Sequence, residues 1–246
     1  MQKYYTRACN FYYNTTSREK VKKKISLPIG NNKSLSFDTI EIISRTNKKK
    51  INIRSIKNLP SKIKKKVLND INNILRARKI PKLKFNNLPI LMGILNITPD
   101  SFSDGGKFNK KNSAIEQINK LIIDGAKIID VGGESTRPGS KEIPKTQEWL
   151  RVNKVMSYLK SKNFFVSLDT RKSFVMKKAS KYKLGLINDV SGLSYDKDTI
   201  NFLKKTKLPF VLHHMKGITE TMQKNPSYNN VLLDIYDYFE DKLRLI

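Results

Sequence analysis

Five short apolar runs divide the second part of this chain: PILMGIL (89–95), AKIIDV (126–131), FFVSLD (164–169), GLIND (185–189) and LPFVLHHM (208–215). Each is nearly continuous rather than alternating, which is the composition of a strand covered on both faces. Between them the spacing turns helical. Ile115, Ile118 and Ile122 share a face within 113–124, and Val152, Val155, Met156 and Leu159 share one within 146–162. Shorter helices fit 172–182 and 196–205, and a last one runs through Val231, Ile235, Tyr238 and Leu243. Buried strands alternating with helices call for parallel β/α units, because parallel neighbours need a crossover long enough to carry a helix. The expected fold class is α/β, a (β/α)8 TIM barrel with about five of its units present. A complete barrel takes about 250 residues, and only the 158 after residue 88 read this way. The reading is therefore of a barrel cut short on its C-terminal side.

Residues 1–88 differ in kind. They hold 23 Lys and Arg against 4 Asp and Glu, a net +19 out of the chain's +28. Lysine clusters (VKKKIS, TNKKKI, SKIKKK) surround two candidate strands, SFDTIEIIS and KINIRSI. A helix is expected over 61–78, where Ile63, Val67, Ile71 and Leu75 recur every four residues. The expected domains are a basic extension, 1–88, with no role assigned, and a barrel domain, 89–246. A basic arm can bind nucleic acid or an anionic membrane. Lys, Asn and Ile are favoured throughout this chain, however, and no aromatic-interleaved basic motif or recognition helix occurs, so neither partner is expected. Cys9 is the single cysteine, which excludes an internal disulfide framework and fits a reducing compartment. No run of 18 apolar residues occurs and MQKYYTRACNFYYN has no apolar core of signal-peptide type, so the expected location is cytoplasmic.

In parallel barrels the ligand sits in loops at the C-terminal ends of the strands. Here every run ends in polar residues: Asn96 and then the long loop ITPDSFSDGG, Asp130 and then GGESTRPGS (132–140), Asp169-Thr170, Asn188-Asp189, and His213-His214-Met215-Lys216. A loop as long and polar as 96–106 is costly to order unless it binds something. Thr136 and Arg137 offer a hydroxyl and a cationic fork suited to an anion. A carboxylate at 169 beside an amide at 188 can match the mixed donor and acceptor edge of a flat heterocycle. Asn96 is a neutral oxygen donor compatible with Mg²⁺ that keeps most of its waters and a phosphate. His213 and His214, being adjacent on a strand, point to opposite faces, so one is expected inward and the other in the shell. Whether His213 or Met215 touches a ligand is left open by the sequence.

MGILNITPDSFSDGG, IIDVGGESTRPGS, VSLDT and INDVSG, in this order, resemble dihydropteroate synthase of folate biosynthesis over about residues 89–246. The resemblance implies a (β/α)8 barrel and a transferase. Such an enzyme joins 6-hydroxymethyl-7,8-dihydropterin diphosphate to p-aminobenzoate, giving 7,8-dihydropteroate and pyrophosphate. It implies that Asn96 ligates Mg²⁺, that Thr136 lies beside the pterin diphosphate, and that Asp169 and Asn188 hold the pterin ring. It implies further that Phe102, Asp104, Ser135, Arg137 and Pro138 belong to loops shaping the p-aminobenzoate pocket. The partners are then small molecules, with a homodimer left open.

The sequence departs from that family in two respects. Its later motifs, an Asp-Pro-Gly strand end, a Ser-Arg-Lys strand end and a final Arg-x-His, do not occur here, and His213 stands where the family usually has Met. The alternatives are an inactive or partial form that needs a missing C-terminal part or a partner chain, and a pterin-dependent methyltransferase. The STRPG and SFSDGG loops argue against the latter.

Overall fold

The computed structural model describes residues 2–78, 89–98, 113–135, 140–218, 221–222 and 225–246. The chain forms two compact units, Met1–Lys79 and Ile80–Ile246.

The first unit is an antiparallel sheet with helices. Strand β1 (Tyr5–Tyr13) leads into helix α1 (Asn14–Lys22), then β2 (Leu27–Ile29), β3 (Asn32–Ile43) and β4 (Lys48–Asn52), and helix α2 (Ser61–Leu75) closes the unit. The long strand β3 is central: β1 pairs with one side of it, from Tyr5 opposite Ile43 to Tyr13 opposite Leu35, while β2 and β4 pair with it along the other. Phe37, Ile40, Ile42, Ile56, Val67 and Ile71 form its core. The expected strand KINIRSI is only half a strand. After Asn52 the chain turns into a 3-10 helix, Ile53–Asn58, begun by the Asn52 side chain, which accepts from the Arg54 N–H at 3.0 Å. Three buried hydroxyls staple α1 to the sheet. Ser17 lies 2.8 Å and Ser26 2.9 Å from the Ser36 Oγ, and Ser17 also donates to the Lys33 carbonyl.

The second unit carries the five expected β/α repeats: β5 (Met92–Asn96), α3 (Ser113–Ile123), β6 (Ile128–Gly132), α4 (Lys145–Ser161), β7 (Phe165–Asp169), α5 (Ser173–Ala179), β8 (Leu184–Asp189), α6 (Asp198–Thr206), β9 (Phe210–Leu212) and α7 (Val231–Arg244). All five strands are parallel and their order in space is their order in sequence. A doubly wound sheet reverses direction at a switch point; this one does not. With right-handed crossovers its helices therefore fall on one face, which is the arrangement of a barrel wall.

The two faces differ sharply. Leu95, Ile129, Val131, Val166, Leu168 and Ile187 join Ile118, Val152, Met156, Leu159 and Met176 in the apolar layer beneath the helices. Side chains alternate along a strand, so Asn96, Asp130, Ser167, Asp169 and Asn188 take the opposite face. Trp149 packs against the Tyr182 ring at 5.7 Å between centroids. Among the described residues, no helix is long and apolar enough to cross a membrane.

Candidate functional site

Strand register assembles the site. Asn96, Gly132, Asp169 and Asn188 occupy successive partner positions across β5, β6, β7 and β8, so four strand ends meet in one row. One layer deeper, Asp130 lies in register between Ile94 and Ser167. Gly132 is needed for this row to close. A Cβ there would sit 3.0 Å from Asn96 Oδ1 and 3.4 Å from Asp169 Oδ2, in the space those two side chains converge on.

Asn188 ties the layers together. Its Nδ2 donates to Asp130 Oδ2 at 2.9 Å, and its Oδ1 lies 2.6 Å from His213 Nε2. The inward and outward histidines sort as expected. His213 faces the site, whereas His214 makes an edge contact with the Tyr238 ring at 4.8 Å in a cluster with Tyr228 and Phe239. Asp189 turns away from the ligand face: its carboxylate accepts from the Ser191 N–H and hydroxyl and from the Leu193 N–H, which fixes the turn after β8.

Two carboxylate oxygens are left over. Asp130 Oδ1 and Asp169 Oδ1 are buried and find no hydrogen-bond partner among the described residues. A buried acceptor without a partner costs about 1–3 kcal/mol, and such atoms are rare in folded proteins. Burial, reinforced by the negative charge of Asp130, Glu148, Asp189 and Glu134, pushes the Asp169 carboxyl up to about 8. At neutral pH it is mostly protonated, and a neutral carboxyl is both donor and acceptor.

Beside this row lies an ion network that the sequence pattern does not reveal. Glu134 accepts from Arg171 Nε at 2.9 Å, from Lys172 Nζ at 2.7 Å and from the Ile143 N–H at 3.0 Å. Lys172 also donates to the Ile143 carbonyl at 2.6 Å and lies 3.0 Å from Glu148 Oε2, while Thr170 donates to Glu148 Oε1 at 2.5 Å. Gly133 lets α4 approach: a Cβ there would meet Val152 Cγ1 at 2.8 Å and the Glu148 carbonyl at 3.0 Å. The Ser140 hydroxyl donates to the Ser135 carbonyl at 2.6 Å. The network thus binds the chain on either side of 136–139 to the residues that follow Asp169. Burial works against the Glu134 charge, but Lys172, Ile143 and Arg171 outweigh it and hold the carboxyl below its usual range. At Glu148 burial prevails over Thr170 and Lys172 and raises it. On sequence alone Glu134, Glu148, Arg171 and Lys172 look like solvated charges; only Glu134, Arg171 and Lys172 carry a hint otherwise, in lying just after strand ends, while Glu148 sits in the first turn of α4.

Of the residues singled out from the sequence, Asn96, Asp169 and Asn188 come together, and Ser135 lies directly beyond the Glu134 anchor. Phe102, Asp104, Thr136, Arg137 and Pro138 lie outside the described residues. Met215 is half-buried beyond β9.

A row of polar strand ends on a parallel β/α wall is the arrangement of a barrel enzyme's ligand site, and the family comes from comparison with known proteins. The family described as pterin binding enzyme matches residues 92–246, and the chain belongs to that family. It is similar to the dihydropteroate synthase of Haemophilus influenzae, 39% identical over 157 residues, covering 63% of this chain and 57% of that protein. It is also similar to the dihydropteroate synthase of Escherichia coli strain K12, 41% identical over 156 residues, covering 63% and 55%. Among solved structures, dihydropteroate synthase from Clostridium difficile in the presence of pteroic acid superposes with a TM-score of 0.59 at 36% identity, covering 66% of this chain and 60% of that one. The Burkholderia cenocepacia synthase complexed with 7,8-dihydropteroate gives 0.55 at 32%, covering 66% and 54%. The chain thus spans somewhat over half the length of the relatives it matches.

Proposed function

We propose that this chain is the pterin-recognising part of a dihydropteroate synthase, a transferase joining 6-hydroxymethyl-7,8-dihydropterin diphosphate to p-aminobenzoate. The observation that carries the reading is the pair of buried, unpartnered oxygens on Asp130 and Asp169 beside the Asn188 amide. A flat ring bearing an amino group and an amide-like edge supplies the donors these oxygens lack. The protonated form of Asp169 can in addition donate to a ring acceptor. Similarity to synthases solved with pteroic acid and with 7,8-dihydropteroate supports the same ring.

Asn96 would hold Mg²⁺, which when bound supplies charge neutralisation to the diphosphate. An exposed amide oxygen at a strand end, opening onto the space left by Gly132, suits an ion that keeps its waters and takes its other ligands from phosphate. Thr136 would lie against the diphosphate, and Phe102, Asp104, Ser135, Arg137 and Pro138 would shape the p-aminobenzoate side, on the strength of the sequence resemblance. The chemistry asks for no covalent nucleophile. The aromatic amine displaces pyrophosphate at the methylene carbon of the pterin, and the Asp130 carboxylate beneath the row favours positive charge developing on the ring. The substrates are small molecules in a cytoplasmic pathway.

Isothermal titration of the chain with 6-hydroxymethylpterin tests the proposal. Saturable binding that is lost in Asp169→Ala is expected. Binding unaffected by that substitution would remove the ring from this row.

A further inference from the structure

His213 raises a question that the ring-binding row leaves open: why an imidazole should face a floor of carboxylates without pairing to one. Its Nε2 lies 2.6 Å from Asn188 Oδ1, and the other end of that amide donates to Asp130 Oδ2 at 2.9 Å. The Asn188 amide has two ends of nearly the same shape, and only its neighbours decide which way it faces. A carboxylate accepts but does not donate, so Asp130 takes the NH₂ end and Oδ1 is turned towards residue 213. There the oxygen needs a donor, and the network assigns a proton to His213 Nε2. The backbone holds the imidazole in place. Tyr238 donates through its hydroxyl to the His213 carbonyl at 3.0 Å, and its ring packs edge-on against His214, which fixes the opposite face of the same strand end.

We infer that His213 is a positioning residue for the site: by donating from Nε2–H to Asn188 Oδ1 it locks the orientation of the Asn188 amide. The second N–H and the second lone pair of Asn188, which remain for a ligand, then have fixed directions, and the row discriminates between ring edges of opposite donor order. An apolar side chain at 213 leaves a buried oxygen unpartnered and the amide free to turn. The inference rests on the pterin reading for its ligand, but the tether itself is a property of the ligand-free chain.

Two measurements test it. In the ligand-free chain the ¹⁵N imidazole spectrum is simple, because there are two histidines and His213→Gln identifies one of them. A proton on His213 Nε2 is expected; a neutral ring carrying its proton on Nδ1 overturns the inference. In titrations with 6-hydroxymethylpterin, His213→Gln, whose amide N–H reaches the same position, is expected to bind within about twofold of the original chain. His213→Met, similar in size but without a donor, is expected to weaken binding by about tenfold, the size of one neutral hydrogen bond. Both variants should retain the circular dichroism of the parent, and only His213→Met should unfold, by Trp149 fluorescence, at somewhat lower urea, as the unpartnered Asn188 oxygen requires. Equal affinity for the Gln and Met variants, strong or weak, overturns the inference. Absence of binding in the unsubstituted chain overturns the pterin reading instead, and the imidazole spectrum still decides the tether.

Discussion

Replacing Asp169 by Asn tests the electrostatics of the site while scarcely changing its shape. Burial and four neighbouring carboxylates raise Asp169 from 3.8 to about 8, so the two values stand about four pH units apart. Below about pH 4 folded and unfolded chains both hold the proton, and the substitution has no electrostatic consequence. Between about pH 4 and pH 8 only the native state keeps it, so the stability of the parent falls as pH rises, by up to ~1.4 kcal/mol per pH unit. Above about pH 8 the native carboxyl is ionised as well and the loss levels off. The upper bound is about 6 kcal/mol; solvent near the strand ends raises the effective dielectric, and about 2–4 kcal/mol is expected. Asp169→Asn should therefore be more stable than its parent by an amount that grows from nothing near pH 4 to this value near pH 8. Urea unfolding followed by fluorescence of Trp149, the single tryptophan, reads the second unit selectively. A stability difference that stays constant from about pH 5 to about pH 9 would refute the reasoning.

Three further outcomes follow from the same geometry. Gly132→Ala should leave the fold intact but weaken pterin binding by about tenfold, since its Cβ enters the space between Asn96 and Asp169; unchanged affinity by titration would show that the ligand does not use that space. Lys172→Met removes the cation shared by Glu134 and Glu148 and leaves buried charge uncompensated, so a loss of about 3–5 kcal/mol is expected in urea unfolding, and a loss below about 1 kcal/mol would mean that the network is not stabilising. The 246-residue chain on its own is expected to bind pterin yet release no pyrophosphate with p-aminobenzoate. Among the described residues its sheet has open edges at β5 and β9, with Met92 and Ile94 exposed on the face that a closed barrel covers, and a normal turnover rate would contradict this.

The barrel wall was legible because its signals are strong and local. Runs such as VSLD and LIND are buried on both faces, and helices such as α4 present Val152, Val155, Met156 and Leu159 to one side. The first unit was harder to read. Helix α1 buries only Ser17, whose contribution is a hydroxyl bridge rather than an apolar stripe, so no periodicity marks it. Strand β1 mixes exposed and buried aromatics along one edge of the sheet and shows no clean alternation. At the site, Asn96, Asp169 and Asn188 could be picked out as polar ends of apolar runs. Asp130 was visible as a strand end, but its partnership with Asn188 depends on register between strands 58 residues apart in the chain. The Glu134 network was illegible for a related reason: its charges lie in ordinary polar sequence, and only folding buries them together.

The most direct test of the account is the position of the ring itself, in a crystal of the chain grown with 6-hydroxymethylpterin. The ring is expected edge-on to the row, with its amino and amide groups within hydrogen-bonding distance of Asp130 Oδ1 and Asp169 and beside the Asn188 amide. A ring bound elsewhere, with those two carboxylates still unpartnered, would contradict the central claim.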